Sequence, residues 1–176
     1  LGPLGLLATS AVLAIVGLYL LSSASGLAMI FVFATLYGFG KTFFWPTTLG
    51  VVSEQCPKGG ALTLNAIAGI GMLAVGILGG PVIGKMTEDS IKASVEEATS
   101  ADTYQKISND STYFLGDYTA VDTSKIGDLP EEEQTKVQAS MQTGKQGSLA
   151  SVAIFPVFML ACYLALIFYF KGRGGY

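Results

Sequence analysis

One residue is out of keeping with its surroundings. Lys41 lies in residues 26–53, a run with no other Asp, Glu, Lys or Arg. An ammonium at the centre of a membrane helix costs about 2.5–3.5 kcal/mol on insertion scales, so it faces a wet cavity, a bundle interior or a counter-charge. On a helix, Tyr37, Lys41 and Thr48 fall at steps of 4 and 7, with Trp45 one turn beyond Lys41. The spacing predicts a polar and aromatic stripe on one face. Its chemistry is binding: the ammonium holds an anionic or hydroxyl-rich solute, or pairs with a carboxylate from another element. Asn65, in the next apolar run, offers an amide to the same solute or to a partner helix.

Catalytic chemistry finds no such foothold. The chain has no His, and its two Cys, Cys56 and Cys162, lie in or beside apolar runs. A His triad, a His-ligated metal and a disulfide framework are excluded. Gly38-Phe39-Gly40-Lys41-Thr42 resembles the end of a phosphate loop, but position 35, where that motif needs its first glycine, is Thr35. No carboxylate pair falls in the apolar runs. The expected reading is a protein that is not an enzyme, with no catalytic residue, no metal and no cofactor.

The elements that must position Lys41 follow from composition. Of 176 residues, 51% are apolar and 13% charged, against about 25% charged in soluble domains. Mean hydropathy is +0.53. These values exclude a disordered chain, a nucleic-acid binder and an ordinary soluble enzyme. Residues 3–22, 61–84 and 149–170 carry no charge, and residues 26–53 carry only Lys41. About 20 helical residues reach the roughly 30 Å of a bilayer core. In lipid, backbone polar groups must be satisfied within the segment, so helices are expected. The predicted fold class is an all-α membrane protein with four transmembrane helices: three within residues 1–84, a polar loop with short helices over 85–147, and the last helix and tail over 148–176. The lipid bilayer is thus one expected partner, and nucleic acid is not.

Residues 85–147 hold 6 Lys and 12 acids, or 18 of the chain's 23 charges. Lys58 lies in a short connection, and Lys171 and Arg173 follow the last run. Basic residues near span ends favour the cytoplasm, so these sites are expected inside and the long acidic segment outside. Within that segment, Ile91 and Val95 predict the apolar side of a short helix. Tyr113, Phe114, Leu115 and Tyr118 predict an aromatic cluster. Asp128-Leu129-Pro130-Glu131-Glu132-Glu133 reads as a helix start with Asp128 as cap, an i,i+4 pair of Glu132 with Lys136, and an apolar face at Val137 and Met141. Gly144 and Gly147 read as punctuation before the last run. Asn109-Asp110-Ser111 is a glycosylation sequon, relevant in a eukaryotic source.

Glycine and proline mark the helices. Pro46, near Gly38 and Gly40, predicts a bend. Asn65, Gly69, Gly76, Gly80 and Gly84 share one face and predict a close helix–helix approach, with Gly79-Gly80-Pro81 distorting the outer end. Gly38, Gly40, Pro46, Gly76, Gly80, Pro81 and Gly84 are the candidate packing and gating residues.

The run LYGFGKTFFWPTTLGVVSEQCPKGGALTLNAIAGIGMLAVGILGGPVIG resembles the tenth and eleventh helices of a major facilitator superfamily transporter. The shared pattern is Gly38, Gly40 and Pro46, then Glu54, a turn with Pro57, Gly59 and Gly60, and a helix ending in Gly80, Pro81 and Gly84. The resemblance implies helices nine to twelve of a twelve-helix bundle and a C-terminus in the cytoplasm. It implies a secondary active transporter that moves a small solute by alternating access, with a proton or sodium as coupling ion and Lys41 on the solute path. The chain opens on Leu1 with its first Met at Met29, so a fragment is expected, its other partner being the N-terminal helices of the same chain. A bacterial inner membrane is the expected location. Two features depart from the family: its G-x-x-x-D-R-x-G-R-R loop is not in this sequence, and the segment between the last two helices is longer than usual. A four-span scaffold or interaction protein with a large outer loop is the alternative.

Overall fold

The computed structural model describes residues 2–113 and 116–174. Phe114 and Leu115, half of the expected aromatic cluster, lie outside the described residues. The described chain is predominantly helical, and four helical stretches are long and apolar enough to cross a membrane: Pro3–Ser22, Leu27–Gln55, Pro57–Ala98 and Glu131–Gly172. The chain divides into two compact units, one of them Ala74–Ser151.

The first unit is built on helix α1 (Pro3–Ser22), which Pro3 opens at a position where a missing N–H costs nothing. Leu4, Leu7, Ala11, Ala14 and Leu18, at alternating steps of 3 and 4, are buried along one side. Helix α2 (Leu27–Thr42) packs on that side through small residues. A β-carbon on Gly40 would stand 2.7 Å from Ala14 N and 2.9 Å from Ser10 O; one on Gly17 would stand 2.8 Å from Tyr37 Cα. Only glycine allows the two backbones this close.

The single helix expected over residues 26–53 is two helices. Helix α2 ends at Thr42, Phe43 leaves the helical ladder, and α3 (Phe44–Gln55) follows. Pro46 is the cause. It has no N–H for the Thr42 carbonyl, and its ring crowds that carbonyl. The ladder resumes with Thr47 N–H donating to Phe43 O at 3.2 Å. The same arrangement recurs at Pro156: α7 (Glu131–Val152) ends four residues before it, Ala153 interrupts, and α8 (Ile154–Gly172) resumes with Val157 N–H on Ala153 O at 3.1 Å. Around Pro81 the disturbance takes a second form. Helix α4 (Gly60–Ala74) passes into a wide π turn, Val75–Gly79, and α5 (Gly80–Ala98) follows. Three interruptions of the helical ladder therefore lie just before a proline, one of them at Pro46, from which the sequence predicts a bend.

The second unit has its own core of Ile91, Val95, Tyr104, Ile107, Ile126, Val137 and Met141. The pairs Ile91/Val95 and Val137/Met141, predicted from spacing, are buried here. Helix α5 continues well past Lys85, where the uncharged run stops, because no proline or glycine interrupts residues 85–98. The Ser100 hydroxyl then accepts Thr103 N–H at 3.2 Å and caps α6 (Ala101–Ile107). An antiparallel hairpin, β1 (Ser108–Tyr113) with β2 (Gly116–Val121), follows, Ser108 opposite Val121 and Tyr113 opposite Gly116. This is a departure from an all-helical expectation.

Two details of the expected α7 are corrected. Asp128 belongs to a 3₁₀ turn, Lys125–Asp128, and the helix begins at Glu131; Gln134 reaches back instead, donating to Leu129 O at 2.7 Å. Gly144 and Gly147 lie inside the helix, and Gly144 is buried against Ile91. The expected Lys136–Glu132 pair forms at 2.7 Å. It holds the Glu132 carboxyl below its usual range and the Lys136 ammonium above.

Candidate functional site

Lys41 lies in the last turn of α2, with its Nζ 5.9 Å from the centre of the Tyr37 ring. The i,i+4 spacing produces this contact, and the ring face attracts a cation. Gly40 beside it is clamped on α1, so the backbone carrying Lys41 is fixed while the side chain stays exposed. Residues 27–53 provide no carboxylate to neutralise it.

The predicted stripe does not continue as one surface, because the interruption at Phe43 separates Lys41 from Trp45 and Thr48. Trp45 turns toward α4: its ring carbons lie 3.6 and 3.7 Å from the place a Gly71 β-carbon would occupy. The Thr48 hydroxyl pairs with that of Tyr163 on α8, and the Phe44 and Tyr163 rings lie 6.4 Å apart. Asn65 is exposed on α4. Of the five candidates for the solute path, the fold brings Lys41 and Tyr37 into contact. It sends Trp45 and Thr48 to two different helices. Tyr163 was not foreseen; the uncharged, aromatic-rich run 149–170 gave no sign that it would pair with a threonine.

The packing and gating candidates also separate. Gly40 is a close-contact glycine, and Pro46 and Pro81 accompany helix interruptions. A β-carbon on Gly38, Gly76, Gly80 or Gly84 would meet no atom within 4 Å. The small-residue face of the third run thus meets no neighbour among the described residues.

In the second unit, Tyr104 is the most perturbed group. It is 2% exposed, and its hydroxyl donates to Thr119 O at 3.3 Å. Burial first, then the charges of Glu88, Glu96 and Asp89, push its pKa up to about 12. Asp122, at the foot of the hairpin, accepts from the Ser124 hydroxyl at 2.6 Å, the Ser124 N–H at 3.0 Å and the Asn109 amide at 2.8 Å. The Ser124 bonds, with help from Asn109 and Lys125, hold its carboxyl below the usual range. The Asn109 side chain also accepts from Lys125 Nζ, so the sequon asparagine is engaged at both ends. These contacts fasten the hairpin to the turn that follows it.

Set against family models, curated proteins and solved structures, the chain matches none of them.

Proposed function

We propose that this chain is the C-terminal part of a secondary active transporter that carries a small solute across a membrane by alternating access. The reading draws on the resemblance of residues 36–84 to two helices of the major facilitator superfamily, and it places the chain in a bacterial inner membrane with residues 85–147 outside. The observation that carries it is Lys41: an exposed ammonium on a tightly packed backbone, beside Tyr37 in a run without acids. Such a charge is retained in a membrane helix where something polar must be held. The helix interruptions before Pro46, Pro81 and Pro156 support the same reading, since broken helices are a recurring device of transporters.

The test is uptake by the complete protein in proteoliposomes, under an imposed proton or sodium gradient, with a labelled panel of sugars, amino acids and carboxylates. Gradient-driven uptake that Lys41→Ala lowers by about tenfold or more, with folded yield unchanged, is the expected result. Uptake unaffected by that change removes Lys41 from the solute path, and no uptake of any panel member under either gradient overturns the reading.

A membrane scaffold is the second reading. It is favoured by one observation, the separate core of Ala74–Ser151, which gives the acidic segment a defined surface.

A further inference from the structure

A cleft of about 690 Å³ opens between the first half of α5 and strand β2. Small residues create it from both sides. Gly80 and Gly84 line the helix wall, and Gly116 and Ala120 line the strand wall. A β-carbon added at any of the three glycines would meet no atom within 4 Å. Alternation along β2 puts Gly116, Tyr118 and Ala120 on the same side of the strand, so among the described residues Tyr118 is the large side chain this wall contributes. Beyond Ala120 the cleft is closed, because Glu88 Oε2 accepts Val121 N–H at 3.2 Å and ties strand to helix.

The walls change character along the cleft. Gly80–Gly84 end the uncharged run of the third span, and Lys85, Glu88 and Asp89 follow at once. One end therefore suits hydrocarbon and the other a charged group. The charges are specific in sign: one ammonium and two carboxylates. Lys85 Nζ and Asp89 Oδ2 are 3.9 Å apart, with both side chains more than half exposed. This is a loose pair that either partner can leave for a better one. An anionic headgroup meets more negative than positive charge here. A choline headgroup has no N–H to donate. A phosphate with a primary ammonium satisfies both sides, phosphate to Lys85 and ammonium to Asp89 and Glu88.

We propose that this cleft binds one phospholipid of the phosphatidylethanolamine type, with its glycerol and chains along Gly80–Gly84 and its headgroup between Lys85 and the two carboxylates. Lys41 does not line this cleft. The site rests on residues 61–84 lying in a membrane, and not on transport.

Native mass spectrometry of the full chain in mild detergent tests it, with phosphatidylethanolamine, phosphatidylglycerol and phosphatidylcholine offered at equal concentration. The ethanolamine lipid should be retained in preference. Gly84→Leu fills the cleft from an ordinary helical position, and retention should fall about tenfold or more. Asp89→Asn leaves the cleft open and removes a carboxylate that holds the ammonium, so it should sharply lower the preference for the ethanolamine lipid, whereas Lys85→Ala should weaken retention of all three lipids through their shared phosphate. Glycerophosphoethanolamine, the headgroup without chains, should not compete. Equal retention by Gly84→Leu, a preference for phosphatidylglycerol, competition by the chainless headgroup, or no lipid retained would each overturn the assignment. A chain that stays monomeric in water without detergent would instead remove the membrane premise, and is read separately.

Discussion

Gly144 and Ile91 approach so closely that a β-carbon on Gly144 would stand 2.6 Å from Ile91 Cα and 2.9 Å from its nitrogen. The obstacle is backbone, which cannot rotate away. Gly144→Ala should therefore cost about 1–3 kcal/mol, the range for overpacking a core. Gly147→Ala, in the same helix with no atom within 4 Å, should gain about 0.5–1 kcal/mol from helix propensity. Amide exchange of α5 and α7 in the intact protein reads both; equal effects of the two changes would disprove the contact.

The first unit offers a matching contrast. Gly40→Val should separate α1 from α2, because its β-carbon meets Ala14 N and Ser10 O. Gly38→Ala meets nothing and should not destabilise, gaining about 0.5–1 kcal/mol from helix propensity as Gly147→Ala does. Denaturant titration in detergent micelles should show a lowered midpoint for Gly40→Val alone.

Pro46→Ala restores the N–H that the Thr42 carbonyl lacks. Helices α2 and α3 should then fuse, with the residue-46 amide newly protected from exchange. A proline inside a helix costs about 3 kcal/mol, so the variant should be more stable, and any loss of function would then come from lost bending. An unprotected amide at position 46 would mean that something other than Pro46 holds the interruption.

Tyr104 provides a pH test. Its folded pKa, about 12, lies above the ordinary 10.0. The folded unit thus keeps its proton where the unfolded chain has released it. The resulting stability is complete below pH 10.0 and is lost as pH rises toward about 12. Tyr104→Phe keeps the ring and removes the ionisable group. Between those pH values the parent's second unit should lose exchange protection while the variant's declines less.

The sequence made visible whatever depends on short-range periodicity. The ends of α1 at Pro3 and Ser22, the buried pairs Ile91/Val95 and Val137/Met141, the Glu132–Lys136 bridge and the nearness of Lys41 to Tyr37 all follow from spacing within one or two helical turns. The hairpin did not show, because Ser108–Tyr113 is almost wholly polar and has no apolar alternation. Gly144 was misread because glycine looks the same whether it ends a helix or admits a neighbour; only Ile91, 53 positions earlier, distinguishes the two. Thr48 with Tyr163 is likewise a long-range pairing. Hydropathy located the charge boundary at Lys85, but a helix is stopped by its backbone and not by its charges, so α5 passes through it.

Pro3 stands at the one place in a helix where proline does no damage, whereas Pro46, Pro81 and Pro156 each sit where the ladder must give way. Pro3–Ser22 is accordingly the stiff strut of this chain, and its other three long apolar stretches are jointed rods. Any bending within these stretches is therefore confined to Phe43, Val75–Gly79 and Ala153, where backbone hydrogen bonds are already missing or widened, and not to the twenty unbroken residues of Pro3–Ser22.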